Sequence, residues 1–156
     1  MGITTTARSK ISIGTTAVAT DAATFAADTY TVISHVEDVG EFGTETNVVE
    51  GNFVDQQFVR KLPGSRNSGT MNVVAAFDAS DAGQIAAKAA SETDFTYNIK
   101  VELDDKPAPG GTNSIFYFKA FVASAKVQGG GSDDITKINF ALAIDGAILE
   151  IPAATA

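Results

Sequence analysis

The chain contains no cysteine and no tryptophan, and His35 is its only histidine. Without cysteine it can form neither a disulfide nor a thiolate metal site. A catalytic triad that uses histidine would depend on His35, and the sequence has neither a Gly-x-Ser-x-Gly nucleophile motif nor a phosphate-binding loop. The paired acids at 104–105 and 133–134 lack the spacing of a calcium loop. We therefore predict no enzyme, no cofactor, and no catalytic or metal-binding residue.

Positive charge is also scarce, since eleven Lys and Arg residues stand against nineteen Asp and Glu residues and give a net charge of −8. Proteins hold nucleic acid through Lys and Arg contacts to phosphates, so a chain this acidic is a poor candidate for binding DNA or RNA. No apolar run approaches the roughly eighteen residues of a membrane span. Residues 1–20 lack the basic start and apolar stretch of a signal peptide, so we expect neither feature.

Alternating apolar residues predict several strands in a chain of one domain's length. The clearest are Thr70–Phe77, Phe95–Leu103, Ser114–Val127 and Ile135–Ile144, with weaker candidates at Tyr30–Val36 and Ala147–Ile151. The one predicted helix is Asp78–Ser91, whose stripe at helical spacing consists of Ala82, Ile85, Ala86, Ala89 and Ala90. This order predicts a mainly β fold, a β-sandwich or barrel flanked by one short helix.

Glycine and proline mark the connections between these elements. Leu62–Gly69 is predicted to be a loop, the glycines at 129–131 a hairpin tip, and Asp145-Gly146 a tight turn. The Thr- and Ala-rich residues 1–27 are predicted to form a partly extended N-terminal arm, and residues 28–156 a single β domain.

Charge is unevenly distributed along the first half of the chain. Residues 11–59 contain eight acids and no Lys or Arg, whereas Arg60, Lys61 and Arg66 follow directly. Two interpretations stay open: a solvated face beside a loop, or a basic loop on one subunit that meets an acidic face on the next. On the second interpretation, the candidate contact residues are Arg60, Lys61, Pro63, Gly64, Arg66, Glu41, Glu45 and Glu50.

The longest strand candidate also favours self-association. Ser114–Val127 is apolar on both faces, with Tyr117, Phe121 and Ala123 on the second face. Either the helix or a neighbouring subunit must cover that face. Exposed strand edges promote aggregation of a monomer, and closing a sheet across subunits removes such edges.

The order of these elements resembles the common domain of siphophage tail tube proteins over roughly residues 11–151. The resemblance is carried by Tyr30-x-x-Ile33-x-x-Val36, Gly40-x-x-Gly43, the Pro63-Gly64 loop, the strand into Phe77-Asp78, the helix Asp81–Ser91, the strand Tyr97–Leu103, the hairpin Ile115–Ile144 and the closing Asp145-Gly146. The chain departs from the family in lacking a tryptophan near the position of Tyr30.

The resemblance implies that six subunits close into a hexameric ring with a continuous inner β-barrel, and that rings stack into a tube through which DNA passes without specific binding. The N-terminal arm and the loop at 50–69 would bridge adjacent rings. An electronegative lumen would repel phosphates, and Glu102 is the candidate lumen-facing acid. The implied partners are tape-measure, tail-tip and terminator proteins, in a virion tail assembled in the bacterial host cytoplasm.

Two related functions stay open at this point: a tube protein of a type VI secretion or contractile-injection system, and a tail terminator or connector that forms a single ring. A monomeric sugar- or peptide-binding β-sandwich is disfavoured. It would need an aromatic patch for stacking, and the chain has three tyrosines and no tryptophan.

Overall fold

A computed structural model of the chain describes residues 2–155. Its strands and helices follow the order β1 (Lys10–Ile13), α1 (Ala22–Ala27), β2 (Thr31–Ile33), β3 (Val36–Asp38), β4 (Glu45–Gly51), β5 (Arg60–Asn67), β6 (Thr70–Ala76), α2 (Ala82–Ser91), β7 (Tyr97–Glu102), β8 (Ile115–Gln128) and β9 (Lys137–Ile151). The mainly β prediction is confirmed, and the short helix α1 is an element that the sequence did not predict.

The strands form one seven-stranded antiparallel sheet in the order β2-β1-β7-β8-β9-β6-β3, and β4 and β5 form a separate two-stranded sheet. The single chain is therefore not a closed barrel. However, β2 and β3 lie at opposite ends of the large sheet, and only Ser34 and His35 separate them in sequence. The large sheet must curl until its two ends meet at this corner.

The corner corrects the prediction of an unbroken strand over Tyr30–Val36. His35 adopts a left-handed conformation with φ of 59°, which is uncommon for residues other than glycine. Its carbonyl oxygen accepts a hydrogen bond of 2.9 Å from the amide of Ala76. The chain breaks here because it has to leave one end of the sheet and join the other.

One face of every strand in the curled sheet contributes to a single core. The prediction that Met71, Val73 and Ala75 share a buried face is confirmed, because all three are 0% exposed. Phe77, predicted on the same face, lies beyond the end of β6 and is 39% exposed. The other fully buried side chains of this core include Ile11, Ile99, Val101, Phe118, Ile138, Phe140 and Leu142.

Helix α2 covers the core with a face that only partly matches the predicted stripe. The buried positions are Gly83, Gln84, Ala87 and Ala90. Ala90 and the partly buried Ala86 belong to the predicted stripe, whereas Ile85 of that stripe is 54% exposed. The reason is a close backbone approach: a Cβ atom added to Gly83 would collide with the carbonyl oxygen of Val32 in β2. Only glycine allows the first turn of α2 to lie this close to the sheet.

Gln84 joins α2 to both ends of the curled sheet. Its side chain is almost fully buried, and its Nε2 donates to the carbonyl oxygens of Ala76 (2.8 Å) and Ser34 (3.3 Å). Its Oε1 accepts from the amide of Asp78 at 3.0 Å. A buried polar side chain is tolerated here because its hydrogen-bonding groups find partners, and these partners fix the corner where the sheet's ends meet.

The opposite face of the sheet is covered only near β7 and the first half of β8. There α1 places Phe25 in a stacked arrangement on Tyr117, with ring centroids 5.4 Å apart. Ala19 completes this second, smaller cluster. Tyr117 of the two-faced strand thus receives its cover from the chain's own N-terminal region, whereas Phe121 stays 42% exposed.

Residues 14–30 are held on this face by the carboxylate of Asp28. It accepts hydrogen bonds from the amide and hydroxyl of Thr15 (2.9 and 2.6 Å) and from Nδ2 of Asn98 (2.8 Å). β1 and α1 both lie inside the predicted N-terminal arm 1–27. The division into that arm and a domain at 28–156 stays a prediction, and Met1 and Ala156 lie outside the described residues.

We expect Asp28→Ala to loosen this N-terminal region and to weaken the acid sensitivity of the fold. Burial alone would raise the pKa of Asp28, but hydrogen bonds from Thr15, Asn98 and Thr29 together lower it. A carboxyl group with a lowered pKa stabilises the fold above its unfolded pKa of about 4, and this contribution is lost as pH falls through the folded pKa.

Urea unfolding at pH 7 and pH 3 checks this prediction. At pH 7 the variant should lose about 1–3 kcal/mol, the usual range for hydrogen bonds to a charged group. The difference from the parent chain should shrink at pH 3. Asp55→Ala, at an exposed residue, is the control. Equal stability of Asp28→Ala and the parent at pH 7 would show that Asp28 does not hold the segment.

The predicted tight turn at Asp145-Gly146 is wrong, because β9 runs through it without reversing. Lys119 of β8 pairs with Asp145 and Tyr117 pairs with Leu149, so three residues of β9 stand opposite Phe118 alone. Gly146 has φ of 85°, a conformation that glycine adopts without strain. The dipeptide therefore forms a bulge, which bends a long strand that β8 holds from the other side.

Candidate assembly surfaces

β4 and β5 form a hairpin, the β4–β5 arm (residues 45–67), which stands apart from the main core. The prediction of a loop at Leu62–Gly69 is wrong, since β5 extends from Arg60 to Asn67. Pro63 fits in this strand because β5 pairs only with β4, so the missing amide hydrogen can fall on the open side. A register shift between Thr46 and Val48 accommodates the irregular stretch opposite Pro63.

The arm exposes an unusual amount of apolar surface. Seven of the sixteen exposed large apolar side chains among residues 2–155 lie on it: Val48, Val49, Phe53, Val54, Phe58, Val59 and Leu62. Every residue of β5 is exposed. A two-stranded hairpin without a core is marginally stable in water, and a concentrated apolar patch marks an interaction surface. The arm therefore needs cover from another molecule.

The predicted contact residues are gathered on this arm, with the exception of Glu41. Lys61 pairs with Glu50 across the hairpin, with Nζ 3.5 Å from Oε1. Both side chains are more than half exposed, so this pair contributes about 0–1 kcal/mol. The other predicted residues on the arm are Arg60, Pro63, Gly64, Arg66 and Glu45.

Part of the predicted charge complementarity is thus satisfied within one chain, because Glu50 neutralises Lys61. Arg60 donates through Nε to the side chain of Gln56 at 3.0 Å and has its charge free for another partner. Glu41 lies outside the arm, in a groove at its root beside Gly69 and Asn72. The role of all eight residues in contacts between subunits stays a prediction.

Glu102 lies at the covered end of the sheet. Its carboxylate is 3.6 Å from Nζ of Lys100 and accepts a hydrogen bond of 3.0 Å from Asn113. It lines a groove together with Arg8 and Asp104, which form an ion pair of 2.7 Å. The structure thus places Glu102 among neutralising partners, and its assignment to a lumen stays a prediction.

Besides the outer edges of the terminal strands β2 and β3 and of the β4–β5 hairpin, two further stretches within residues 2–155 have one unpaired edge. Residues 115–120 of β8 lie between β7 and β9, but residues 121–128 pair with β9 alone. Residues 137–143 of β9 lie between β6 and β8, but residues 145–151 pair with β8 alone. In the plane of the sheet, the open edge of β8 points toward the β7 side and the open edge of β9 toward the β6 side. The two stretches lie at opposite ends of the β8–β9 hairpin.

Between these edges, the sheet exposes a face that no sequence motif singled out. Its side chains on β6, β8 and β9 are Thr70, Asn72, Val74, Phe121, Ser124, Asn139, Ala141 and Ala143, all exposed or half-exposed. Most are small or polar, and the charged residues in register with them are Lys119, Lys126, Lys137 and Asp145. Of these residues, Phe121 was placed from the sequence, on the second face of Ser114–Val127.

These surfaces suit association better than chemistry. In the described part of the chain, no three His, Asp or Glu side chains are grouped so that they could hold a metal ion. No described helix is long and apolar enough to cross a membrane. The arm, the open edges and the uncovered face are instead surfaces that another polypeptide can complete.

Comparison with known proteins agrees with this character. Three solved structures share the fold: the anti-feeding prophage baseplate (TM-score 0.72, 8% identity, 97% of each chain covered); the SPP1 tail tube (TM-score 0.64, 19% identity, 91% of this chain and 75% of that one); and the PVC sheath/tube terminator of an extracellular contractile injection system (TM-score 0.69, 14% identity, 97% and 98%). No curated protein sequence matches the chain.

A family model matches the chain over almost its whole length. The model described as phage tail tube protein matches residues 1–151, nearly the whole chain. The match includes the curled sheet, α2 and the β4–β5 arm. The chain belongs to the phage tail tube protein family.

Proposed function

We propose that the chain is a structural, non-catalytic subunit of a phage tail tube, in which six copies close into a ring and rings stack around a DNA conduit. The observation that carries the proposal is the pair of staggered, unpaired strand edges at residues 121–128 and 145–151. Open strand edges of seven and eight residues are templates for pairing with another chain.

Ring closure follows from pairing these edges. Strand addition satisfies main-chain amides and carbonyls, and it needs one free edge on each partner. The β8 edge of one copy and the β9 edge of the next face opposite ways, so each copy can pair on both sides. Their stagger suits a barrel, because closing a sheet requires tilted strands and a shifted register. Repetition around a ring produces a continuous inner β-barrel.

Ring stacking is assigned to the β4–β5 arm. The eight residues of β5 span roughly 26 Å at about 3.3 Å per residue, which is long enough to cross from one subunit to another. The exposed apolar side chains of the arm would be buried in the contact. The N-terminal residues 2–8, which are exposed, form a second candidate bridge.

The uncovered sheet face would line the conduit. Small and uncharged polar side chains offer few strong contacts to the phosphates of a passing duplex. Three of the four charged residues named on this face are lysines, so the proposed electronegative lumen rests on the net charge of −8 and not on this face. Tape-measure, tail-tip and terminator proteins remain the proposed partners, in a virion tail assembled in the host cytoplasm.

A tube subunit of a contractile injection system is the second candidate. Two of the structural neighbours, the anti-feeding prophage baseplate and the PVC terminator, have nearly the same length as this chain and are covered by 97% and 98%. A terminator that forms one ring is the third. The two families of tube differ in what passes through them, DNA or protein, so finding DNA inside ejecting particles discriminates between them.

Electron microscopy of the purified chain at high concentration, with mass from light scattering, tests the proposal. Hollow tubes or six-fold rings are the expected result. If the chain stays a monomer even after addition of a tail-tip initiator complex, the tube function is wrong. Rings that never stack would favour the terminator.

We expect the double variant Arg60→Glu and Lys61→Glu to weaken stacking without affecting folding. Both side chains are exposed on the arm, so the thermal midpoint should change little. Reversal creates like charges opposite Glu50 and on the contact surface, and the critical concentration for tube formation should rise several-fold, most strongly at low salt. Normal assembly at low salt would remove these two residues from the contact. Lys106→Glu, at an exposed residue outside the arm, is the matched control.

A further inference from the structure

A small apolar cavity, the α2 cavity, opens beside the first turns of α2. Its volume is about 120 Å³, and its walls include Phe77, Ala79, Ile85 and Ile138. Phe77 and Ile85 are 39% and 54% exposed around it. A cavity of this size accepts one large apolar side chain, and the exposed rim shows that the single chain leaves it unfilled.

The rim of the α2 cavity carries one charge of each sign, Asp78 and Lys88. Hydrogen bonds from the side chain and amide of Ser80 lower the pKa of Asp78, so its carboxylate is charged at neutral pH. Such a rim selects a ligand that presents an apolar group between a cation and an anion.

The tip of the β4–β5 arm has this pattern. Phe58 is 83% exposed, with Asp55 and Arg60 on either side of it in sequence. The other phenyl ring of the tip, Phe53, lies back against Gly51 of its own hairpin. Val54 at the tip is also fully exposed, but Phe58 is the exposed aromatic side chain that is free to enter a cavity on another molecule.

The two surfaces lie at opposite ends of β6. The arm leaves the sheet next to Thr70, and the cavity begins just after Ala76, roughly 20 Å farther along the strand. Different surfaces that meet between copies make a heterologous contact. Such contacts close into a ring when the rotation between copies closes, and otherwise they repeat as an open helical filament, which is the symmetry that a stacked tube needs.

We propose that Phe58 on the arm of one copy inserts into the α2 cavity of a copy in the adjacent ring. In this arrangement Arg60 lies toward Asp78 and Asp55 toward Lys88. The inference rests on the proposed tube function and names the acceptor surface for stacking: a second copy of this chain, held by one aromatic anchor between two charge pairs.

Cysteine cross-linking tests the contact directly, because the chain has no cysteine of its own. In the double variant Phe58→Cys and Ile85→Cys, mild oxidation of assembled tubes should produce a ladder of covalent multimers beyond the dimer. Each single variant should give dimers at most. Phe58→Cys with Phe95→Cys is the control pair, since Phe95 is also exposed but lies beyond the other end of α2.

The outcomes separate this inference from the proposed function. Tubes without a ladder would overturn the docking of Phe58 and leave the tube function intact. A parent chain that never forms tubes would overturn both. A second experiment covers the case in which the cysteines block assembly: Ile85→Asp should abolish stacking, and adding Phe58→Lys should restore it by at least ten-fold in critical concentration. Failure of that restoration would also overturn the docking.

Discussion

Replacing the arm tip, residues 52–59, with an Asn-Gly turn is expected to abolish tube formation and leave a folded chain. Gly51 and Arg60 are paired neighbours across the hairpin, so a two-residue turn of this type joins them without changing the register. The replacement removes Phe53, Val54 and Phe58, which are exposed and contribute nothing to the main core. Only contacts to other molecules should be lost.

The size of the effect follows from hot-spot behaviour. A single buried aromatic anchor contributes about 2–4 kcal/mol to an interface, and in the proposed hexameric ring six such anchors would act together in stacking. We expect no tubes at concentrations where the parent chain forms them completely. The free energy of unfolding should stay within about 0.5 kcal/mol of the parent value. Electron microscopy, light scattering and urea unfolding measure these quantities on the same sample.

A matched control replaces the tip of another exposed hairpin. Residues 129–134 connect β8 and β9 and are exposed, so shortening this connection also removes surface residues without touching the core. Tubes from the arm-tip variant that match those of the parent in number and length would show that the arm is not the stacking element. The proposal would then have to place stacking on the N-terminal residues.

The strands of the main sheet were predictable because a strand that is buried on one face has apolar and polar residues in alternation. Met71, Val73 and Ala75 alternate with exposed neighbours, and so do Ile138, Phe140 and Leu142. The strands of the β4–β5 arm were not predicted because they lack such an alternation. Both faces of the arm are exposed in the single chain, so β5 shows no alternation, and Pro63 and Gly64 suggested a loop.

Two other errors came from backbone geometry that composition does not encode. Asp145-Gly146 has the residues of a tight turn, but β8 continues beside it and holds the chain as a bulge. The predicted stripe on α2 included Ile85 and left out Gly83, whereas the helix approaches the sheet through Gly83, Ala87 and Ala90. In each case a partner distant in sequence overrode the local preference.

The same reasoning limits what the sequence says about the candidate surfaces. The acidic and basic residues between 41 and 66 suggested a contact between subunits. The pattern did not show that Glu50 and Lys61 pair with each other across one hairpin. The open edges of β8 and β9 depend on strand order, which a single sequence does not reveal. The resemblance to tail tube proteins identified the family because it used the order of elements and not any one motif.

Gly83→Ala is expected to destabilise the fold by about 1–3 kcal/mol, although alanine is the better helix former. In an open helix position this change would stabilise by about 1 kcal/mol, because alanine loses less backbone freedom than glycine. At Gly83 the new methyl group meets the carbonyl oxygen and carbon of Val32 and the Cα of Ile33, all main-chain atoms of β2. Backbone cannot move aside as a flexible side chain can, so α2 has to lift from the sheet.

Lifting α2 disturbs more than local packing, and this gives the variant a second measurable effect. Gln84 follows directly and holds the sheet's two ends through Ala76 and Ser34, so its hydrogen bonds should lengthen or break. The α2 cavity shifts with the helix, and stacking should weaken along with stability. Urea unfolding measures the first effect and the critical concentration for tubes the second. Gly129→Ala, where an added Cβ meets nothing within 4 Å, is the control and should change neither. A Gly83→Ala chain that is as stable as the parent would show that a methyl group fits between the first turn of α2 and β2. The close approach would then not explain why Gly83, Ala87 and Ala90 face the core.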